Sequence, residues 1–292
     1  MKMLFKGGAT AVITPFNEKG IDFDNFDKQI DHQLKADIQA IVVCGTTGEA
    51  TTMSKDERKA AIKFVADKVG KKVPIIAGTG TNDTRVSIEY SKDAQNMGAD
   101  AILVTPPYYN KTSPKGLIAH FTAISDSVSI PMIMYNVPTR TAINVDPAIM
   151  KQVALKSNTI AVKECNFAQM AEVIETAPKG FTVYSGDDSS NIPALALGAM
   201  GVISVASNVI PKDIVTMNKL FFENKLDKSR EIFYKINNLL RLLFIETNPI
   251  PVKKAMEYLN LDSGILRLPL IPMQEDKALL LKEELKKLGV IQ

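Results

Sequence analysis

Short apolar runs rich in β-branched residues recur eight times along this chain of 292 residues, and each is followed by a segment of helical periodicity. The runs are Gly8–Ile13, Ala40–Cys44, Pro74–Gly78, Ala101–Thr105, Pro131–Tyr135, Ile160–Lys163, Thr182–Ser185 and Val202–Val205. They are near-continuous rather than alternating in polarity, the pattern of parallel strands covered on both faces. Between them, Phe23, Phe26, Ile30 and Leu34 form one apolar stripe. Ser54 and Glu57 make a capping box ahead of Ala61, Ile62, Val65 and Val69. Ser113-Pro114 and Asp146-Pro147 each set an N-cap before a first-position proline, and Ile210-Pro211 opens the helix after the eighth run. Eight strand–helix units in series predict an α/β fold of the closed (β/α)8, or TIM-barrel, type over residues 1–224. Residues 225–292 carry only helical patterns, at Ile232–Phe244, Pro251–Leu259 and Glu275–Leu288, and are expected to form a C-terminal helical extension packed on the barrel. An open doubly wound sheet would need a Gly-rich dinucleotide fingerprint after an early strand, and Gly45–Gly48 lacks that spacing.

Bulk properties remove several classes of function. A formal charge of +3 does not call for a polyanionic partner, and the mixed-sign run Lys282–Lys287 reads as a solvated helix face, so no nucleic-acid partner is expected. The two cysteines, Cys44 and Cys165, read as small packing residues in a reducing compartment. His32 and His120 fall on predicted helices and read as surface residues. So few His and Cys give no expectation of a zinc or iron site. Met1–Gly8 holds no apolar leader, which points to the cytoplasm. Ser189–Pro211 is free of charge and long enough to span a bilayer, but it contains Pro193, Gly198, Gly201 and Asn208. A helix followed by a buried strand explains it better than a membrane segment.

Active sites of such barrels lie at the C-terminal ends of the strands. There the sequence offers Gly45-Thr46-Thr47-Gly48-Glu49, Pro107-Tyr108-Tyr109-Asn110, Tyr135-Asn136-Val137-Pro138, Lys163-Glu164 and Gly186-Asp187-Asp188. Two-residue alternation puts Ala161 and Lys163 on one face and Ile160 and Val162 on the other. Lys163 would then point into the barrel mouth, where burial lowers an amine pKa and makes a neutral nucleophile accessible. A lysine at a strand end can equally snorkel to water. Tyr135 ends the preceding strand in the same way and could relay protons, or simply be packed. The Gly45–Gly48 turn could form an anion-binding nest for a small carboxylate, or be an ordinary loop. Arg140 is a carboxylate donor near the same rim, a role most surface arginines do not have.

Taken together, Gly45–Glu49, Tyr135–Pro138, Lys163-Glu164, Ser185–Asp188 and Asn248-Pro249-Ile250-Pro251-Val252-Lys253 occur in an order that resembles the 4-hydroxy-tetrahydrodipicolinate synthase (dihydrodipicolinate synthase) family over essentially the whole chain. The resemblance implies condensation of pyruvate with L-aspartate 4-semialdehyde in lysine and diaminopimelate biosynthesis. Lys163 would form an imine with pyruvate, with no metal or other cofactor. Tyr135, Thr46 and Tyr109 would make a proton relay, Tyr109 being supplied across a tight dimer interface of a homotetramer. Thr47 would hold the pyruvate carboxylate, Gly186 and Ile203 would line the pyruvate pocket, and Arg140 would bind the semialdehyde carboxylate. Feedback-sensitive relatives tend to carry a histidine or another accommodating residue where Lys55 stands and a glutamate where Val86 stands, which implies weak inhibition by lysine here.

Two other readings compete. N-acetylneuraminate lyases and 2-keto-3-deoxy sugar-acid aldolases look similar around the lysine, tyrosine and glycine turn. They often have Ser where Thr46 stands and lack an arginine like Arg140. A catalytically silent barrel, acting as scaffold or sensor, has no need of a buried lysine.

Overall fold

A computed structural model describes residues 3–292. Eight strands form a closed, all-parallel barrel: β1 Gly7–Ala11, β2 Ala40–Val43, β3 Ile75–Gly78, β4 Ala101–Val104, β5 Met132–Asn136, β6 Thr159–Glu164, β7 Thr182–Ser185 and β8 Gly201–Ser204. Each strand pairs with its neighbours in sequence, and Gly7↔Gly201 to Thr10↔Ser204 closes the ring. The strands are apolar on both faces because both faces are covered. Ala9, Ala40, Val42, Ile76, Ala101, Leu103, Ile133, Ala161, Tyr184 and Ile203 fill the interior. Their neighbours Ile41, Val43, Ile75, Ile102, Val104, Met132, Met134, Val162 and Val183 pack outward under the helices. Phe5 and Tyr184 stack at 4.1 Å inside the barrel, and the Tyr184 hydroxyl donates to the Phe5 carbonyl at 2.8 Å.

The helices are α1 Phe23–Lys35, α2 Lys55–Val69, α3 Thr84–Asn96, α4 Pro114–Asp126, the single turn α5 Pro138–Thr141, α6 Pro147–Lys156, α7 Met170–Thr176, α8 Asn191–Leu197, α9 Pro211–Phe222, α10 Leu226–Leu242, α11 Ile250–Tyr258 and α12 Glu275–Lys287. The Ser54–Glu57 capping box forms, and Ser113 accepts from Gly116 N–H at the start of α4. Asp146 does not cap α6. Its carboxylate accepts from Asn144 Nδ2 at 2.8 Å instead. On α1 the expected stripe is buried at Phe26 and Ile30, with Phe26 stacked 5.6 Å from Phe64 of α2. Truncating Phe26 to alanine would cost about 3–5 kcal/mol by the usual transfer and cavity terms.

Ser189–Pro211 resolves into α8 and β8, and no helix among the described residues is long and apolar enough to cross a membrane. Helices α10 to α12 share one core with β8 and α9, built from Val202, Ile214, Met217, Leu239, Val252 and Leu281. Three expectations are corrected. The chain after Lys225 is not wholly helical, because Asn260–Gln274 is an irregular segment that returns to the barrel rim. A β-bulge between β5 and β6 skips Ile160, which packs with the barrel interior and not on the helix side with Val162. His120 is buried. Thr84 Oγ1 lies 2.9 Å from its Nδ1, and burial pulls its pKa down to about 4.

Candidate active site

The strand register brings Tyr135 and Lys163 side by side, paired Cα to Cα across β5 and β6. Lys163 is 5% exposed and holds its Nζ 4.4 Å from the Tyr135 ring centre. Burial lowers the Lys163 pKa from the ordinary 10.5, because an ammonium without water is penalised. Burial pushes the Tyr135 phenol upward, opposed by the nearby Arg140 charge and the Thr46 hydroxyl. Both shifts run toward the uncharged forms, the free amine and the protonated phenol.

The outward faces of the same strand ends carry the brace. The Glu164 carboxylate accepts from Asn166 N–H at 2.6 Å, Asn136 Nδ2 at 2.9 Å and Gln169 Nε2 at 2.9 Å. Asn136 Oδ1 in turn accepts from Val145 N–H at 3.0 Å, which fixes the loop bearing Arg140. All these donors are neutral, and burial raises the Glu164 pKa.

Cys165 follows by the same alternation that turns Lys163 inward. Its thiol packs against Gly186 and Lys163, and burial pushes its pKa up to about 11. Gly186 N–H donates to the Glu164 carbonyl at 2.8 Å, and a Cβ placed on Gly186 would meet the Cys165 sulfur and lie 3.2 Å from Lys163 Cε. The missing side chain is thus what leaves room for the amine. Asp188 Oδ2 accepts from Val205 and Ala206 N–H at 2.9 and 3.0 Å, tying the β7 loop to the end of β8. Ile203 lies fully buried on β8, opposite Ala9.

The Gly45–Glu49 turn closes through Gly48 N–H to Gly45 O and Glu49 N–H to Thr46 O, both at 3.1 Å. Thr14 Oγ1 donates to Gly48 O at 2.7 Å. Thr46 is half-buried beside Tyr135, whereas Thr47 is buried and accepts from Asn248 Nδ2 at 3.0 Å. Arg140, on α5, is exposed at the rim and donates to the Asn248 carbonyl at 3.1 Å.

A cavity of about 400 Å³ opens among these loops, walled by Thr46, Tyr135, Arg140, Arg58, Tyr90 and Tyr108. Lys163 does not form its wall. A larger hollow of about 700 Å³ lies at the other end of the strands, beside Leu4, Phe5, Ile38, Gln39, Lys72 and Pro74. In barrels that face serves stability rather than chemistry. Among the described residues no group of three His, Cys, Asp or Glu side chains is arranged to hold a metal ion.

Lys163, Tyr135, Thr46, Gly186 and Ile203 therefore come together around the barrel mouth, with Thr47 and Arg140 on its rim. Tyr109 does not join them. It is 92% exposed, with φ +70°, and is not part of the cavity wall that Tyr108 helps to form. The sequence reading gave no role to Asn248, whose side chain touches Thr47 across 201 positions, a contact no local spacing reveals. Nor did it use Cys165, although alternation from Lys163 predicts its inward position.

The sequence profile of the Dihydrodipicolinate synthetase family matches residues 4–288. A 4-hydroxy-tetrahydrodipicolinate synthase from Acetivibrio thermocellus is 48% identical over 99% of both chains. A solved dihydrodipicolinate synthase at 44% identity superposes with a TM-score of 0.96, covering 98% of this chain and 100% of the other. Another, described as a monomeric variant, is 37% identical with a TM-score of 0.97 over 99% and 98% of the two chains.

Proposed function

The chain belongs to the dihydrodipicolinate synthetase family, and we propose that it condenses pyruvate with L-aspartate 4-semialdehyde through a Schiff base on Lys163. The observation that carries the mechanism is the buried Lys163 amine, depressed in pKa and set over Tyr135 at a strand end. The neutral amine adds to the ketone carbon of pyruvate, and loss of water gives a cationic imine. That cation is an electron sink, so a methyl proton can leave and form an enamine. The enamine carbon then attacks the aldehyde of the semialdehyde. Tyr135, protonated because burial disfavours its phenolate, passes protons to and from the intermediates. Thr46 and Tyr109 carry that relay toward solvent. Thr47 and its turn receive the pyruvate carboxylate, Gly186 and Ile203 line the pocket around it, and Arg140 receives the carboxylate of the second substrate.

Tyr109 can enter the relay only from a neighbouring subunit, and its full exposure supports a tight dimer, which we extend to a homotetramer. The reading needs no metal or other cofactor and places the enzyme in the cytoplasm. The rim cation Arg140 beside Thr46 favours an anionic aldehyde over the polyol substrates of the sugar-acid aldolases. A coupled assay with pyruvate and aspartate semialdehyde, run beside sugar-acid substrates, tests this. Incubation with pyruvate and borohydride should add one reduced pyruvyl group, mapped to Lys163. An adduct elsewhere, or none, refutes the mechanism.

A further inference from the structure

Glu49 and Lys253 stand in two of the motifs that carry the family likeness, yet the reaction above gives neither a task. Their side chains form an ion pair of 2.8 Å that is completely buried. Lys253 Nζ also donates to Thr14 O at 3.1 Å and to Ile265 O, and lies 4.5 Å from the Phe16 ring centre. The second Glu49 oxygen accepts from Arg267 N–H at 3.1 Å. One pair thus gathers the loop after β1, the turn after β2, the first turn of α11 and the segment before α12.

Asn248, two residues before α11, holds Thr47 in the same turn. A single helix start therefore grips both Thr47 and Glu49. Glu49 itself has φ +52°, a left-handed conformation uncommon for a non-glycine residue. Buried ion pairs add little net stability, because desolvation offsets their attraction. What such a pair does well is fix geometry, since losing one partner strands the other's charge.

We propose that Glu49, Lys253 and Asn248 are positioning residues that hold the Gly45–Glu49 turn in the shape that receives the substrate's α-keto carboxylate. The C-terminal helices then take part in pyruvate binding without touching pyruvate. This rests on the assignment of Thr47 to that carboxylate.

The test uses the full-length protein with Glu49→Gln, Asn248→Ala, Lys253→Met, the Glu49→Gln/Lys253→Met double variant and Thr47→Val. Borohydride labelling of Lys163 is titrated with pyruvate, KM is measured for both substrates, and folding is followed by thermal unfolding. Glu49→Gln and Asn248→Ala should raise the half-saturating pyruvate concentration about tenfold or more through lost preorganisation. Labelling at saturating pyruvate should still reach one group per chain, and for Glu49→Gln the aldehyde KM should move much less. If Lys253→Met does not fold, the double variant, free of a stranded charge, supplies the same measurement. Folded variants with wild-type pyruvate dependence, beside a weakened Thr47→Val, would overturn the proposal. So would equal rises in both KM values for Glu49→Gln, which mark a merely structural role. An unaffected Thr47→Val would remove the carboxylate assignment itself, and the proposal with it.

Discussion

Gly186→Ala is the sharpest single probe of the lysine's surroundings. The backbone at Gly186 needs no left-handed conformation, so the substitution acts through space alone. The new methyl would lie 3.2 Å from Lys163 Cε and 3.2 Å from Glu164 O, and would collide with the Cys165 sulfur. The thiol, packed against Lys163, presses on the same stem when displaced, and the backbone carbonyl cannot yield, so the lysine stem gives by at least a few tenths of an ångström. Misplacing a reacting group on that scale costs on the order of 10–10²-fold in rate. The assay is the rate of imine formation, trapped by borohydride at short times with saturating pyruvate. Cys165→Ala in the same chain removes the harder collision and should recover part of the loss. Wild-type imine kinetics in Gly186→Ala, or no recovery in the double variant, would show that the pocket is not as close around the amine as described.

Three further outcomes are expected. Arg140→Ala should raise the KM for the aldehyde substrate roughly 10- to 150-fold while leaving that for pyruvate nearly unchanged, from loss of a charge-assisted pair of about 1.5–3 kcal/mol; equal effects on both contradict its role. Burial raises Asp262 to about 7 despite the nearby Lys253 charge. The folded form therefore binds the proton more tightly than the unfolded chain, and stability falls as pH rises from the ordinary 3.8 toward 7. Asp262→Asn should gain thermal stability on wild type between pH 5 and pH 8, and a constant difference would refute this. Free lysine should inhibit weakly. Val86 cannot accept a hydrogen bond from its ammonium. The buried Arg58, donating to Ala50 O at 3.0 Å and Gly78 O at 2.6 Å, puts a cation in the cleft wall. Lys55 turns aside to Glu89 and Asp93 at 3.7 and 3.4 Å and takes no part. Half-inhibition at sub-millimolar lysine would contradict it.

The barrel was legible because each strand–helix unit writes its own period into the sequence. Lys163 and Tyr135 were legible because alternation along a strand fixes which way a side chain turns. Alternation failed at Ile160, where a bulge inserts a residue that no local pattern announces. His120 was misplaced because its helix is covered by Thr84 from a neighbouring one, a tertiary fact. Glu49, Asn248 and Lys253 were visible as motif letters but not as partners, since their contacts join positions about two hundred residues apart. Tyr109 is bare surface in the single chain, and the relay proposed for it calls on a second copy.

Those long contacts also order events during synthesis. The last barrel strand ends at Ser204, so the ring can close once β8 meets β1. Residues that clasp the front of the chain come later: Asn248 to Thr47, Lys253 to Glu49, Ser263 Oγ to Phe16 O at 2.6 Å and Arg267 to Glu57. At about 5–20 residues per second, a ribosome takes several seconds to cover that stretch. Until those residues emerge, the turn after β2 has none of these clasps, and β8 and α9 lack the core they share with α10 to α12. A chain cut short before Lys253 would leave Glu49 without its ion-pair partner and the apolar residues of β8 and α9 without much of their cover. The turn at the barrel mouth is thus completed by residues made about two hundred positions after it.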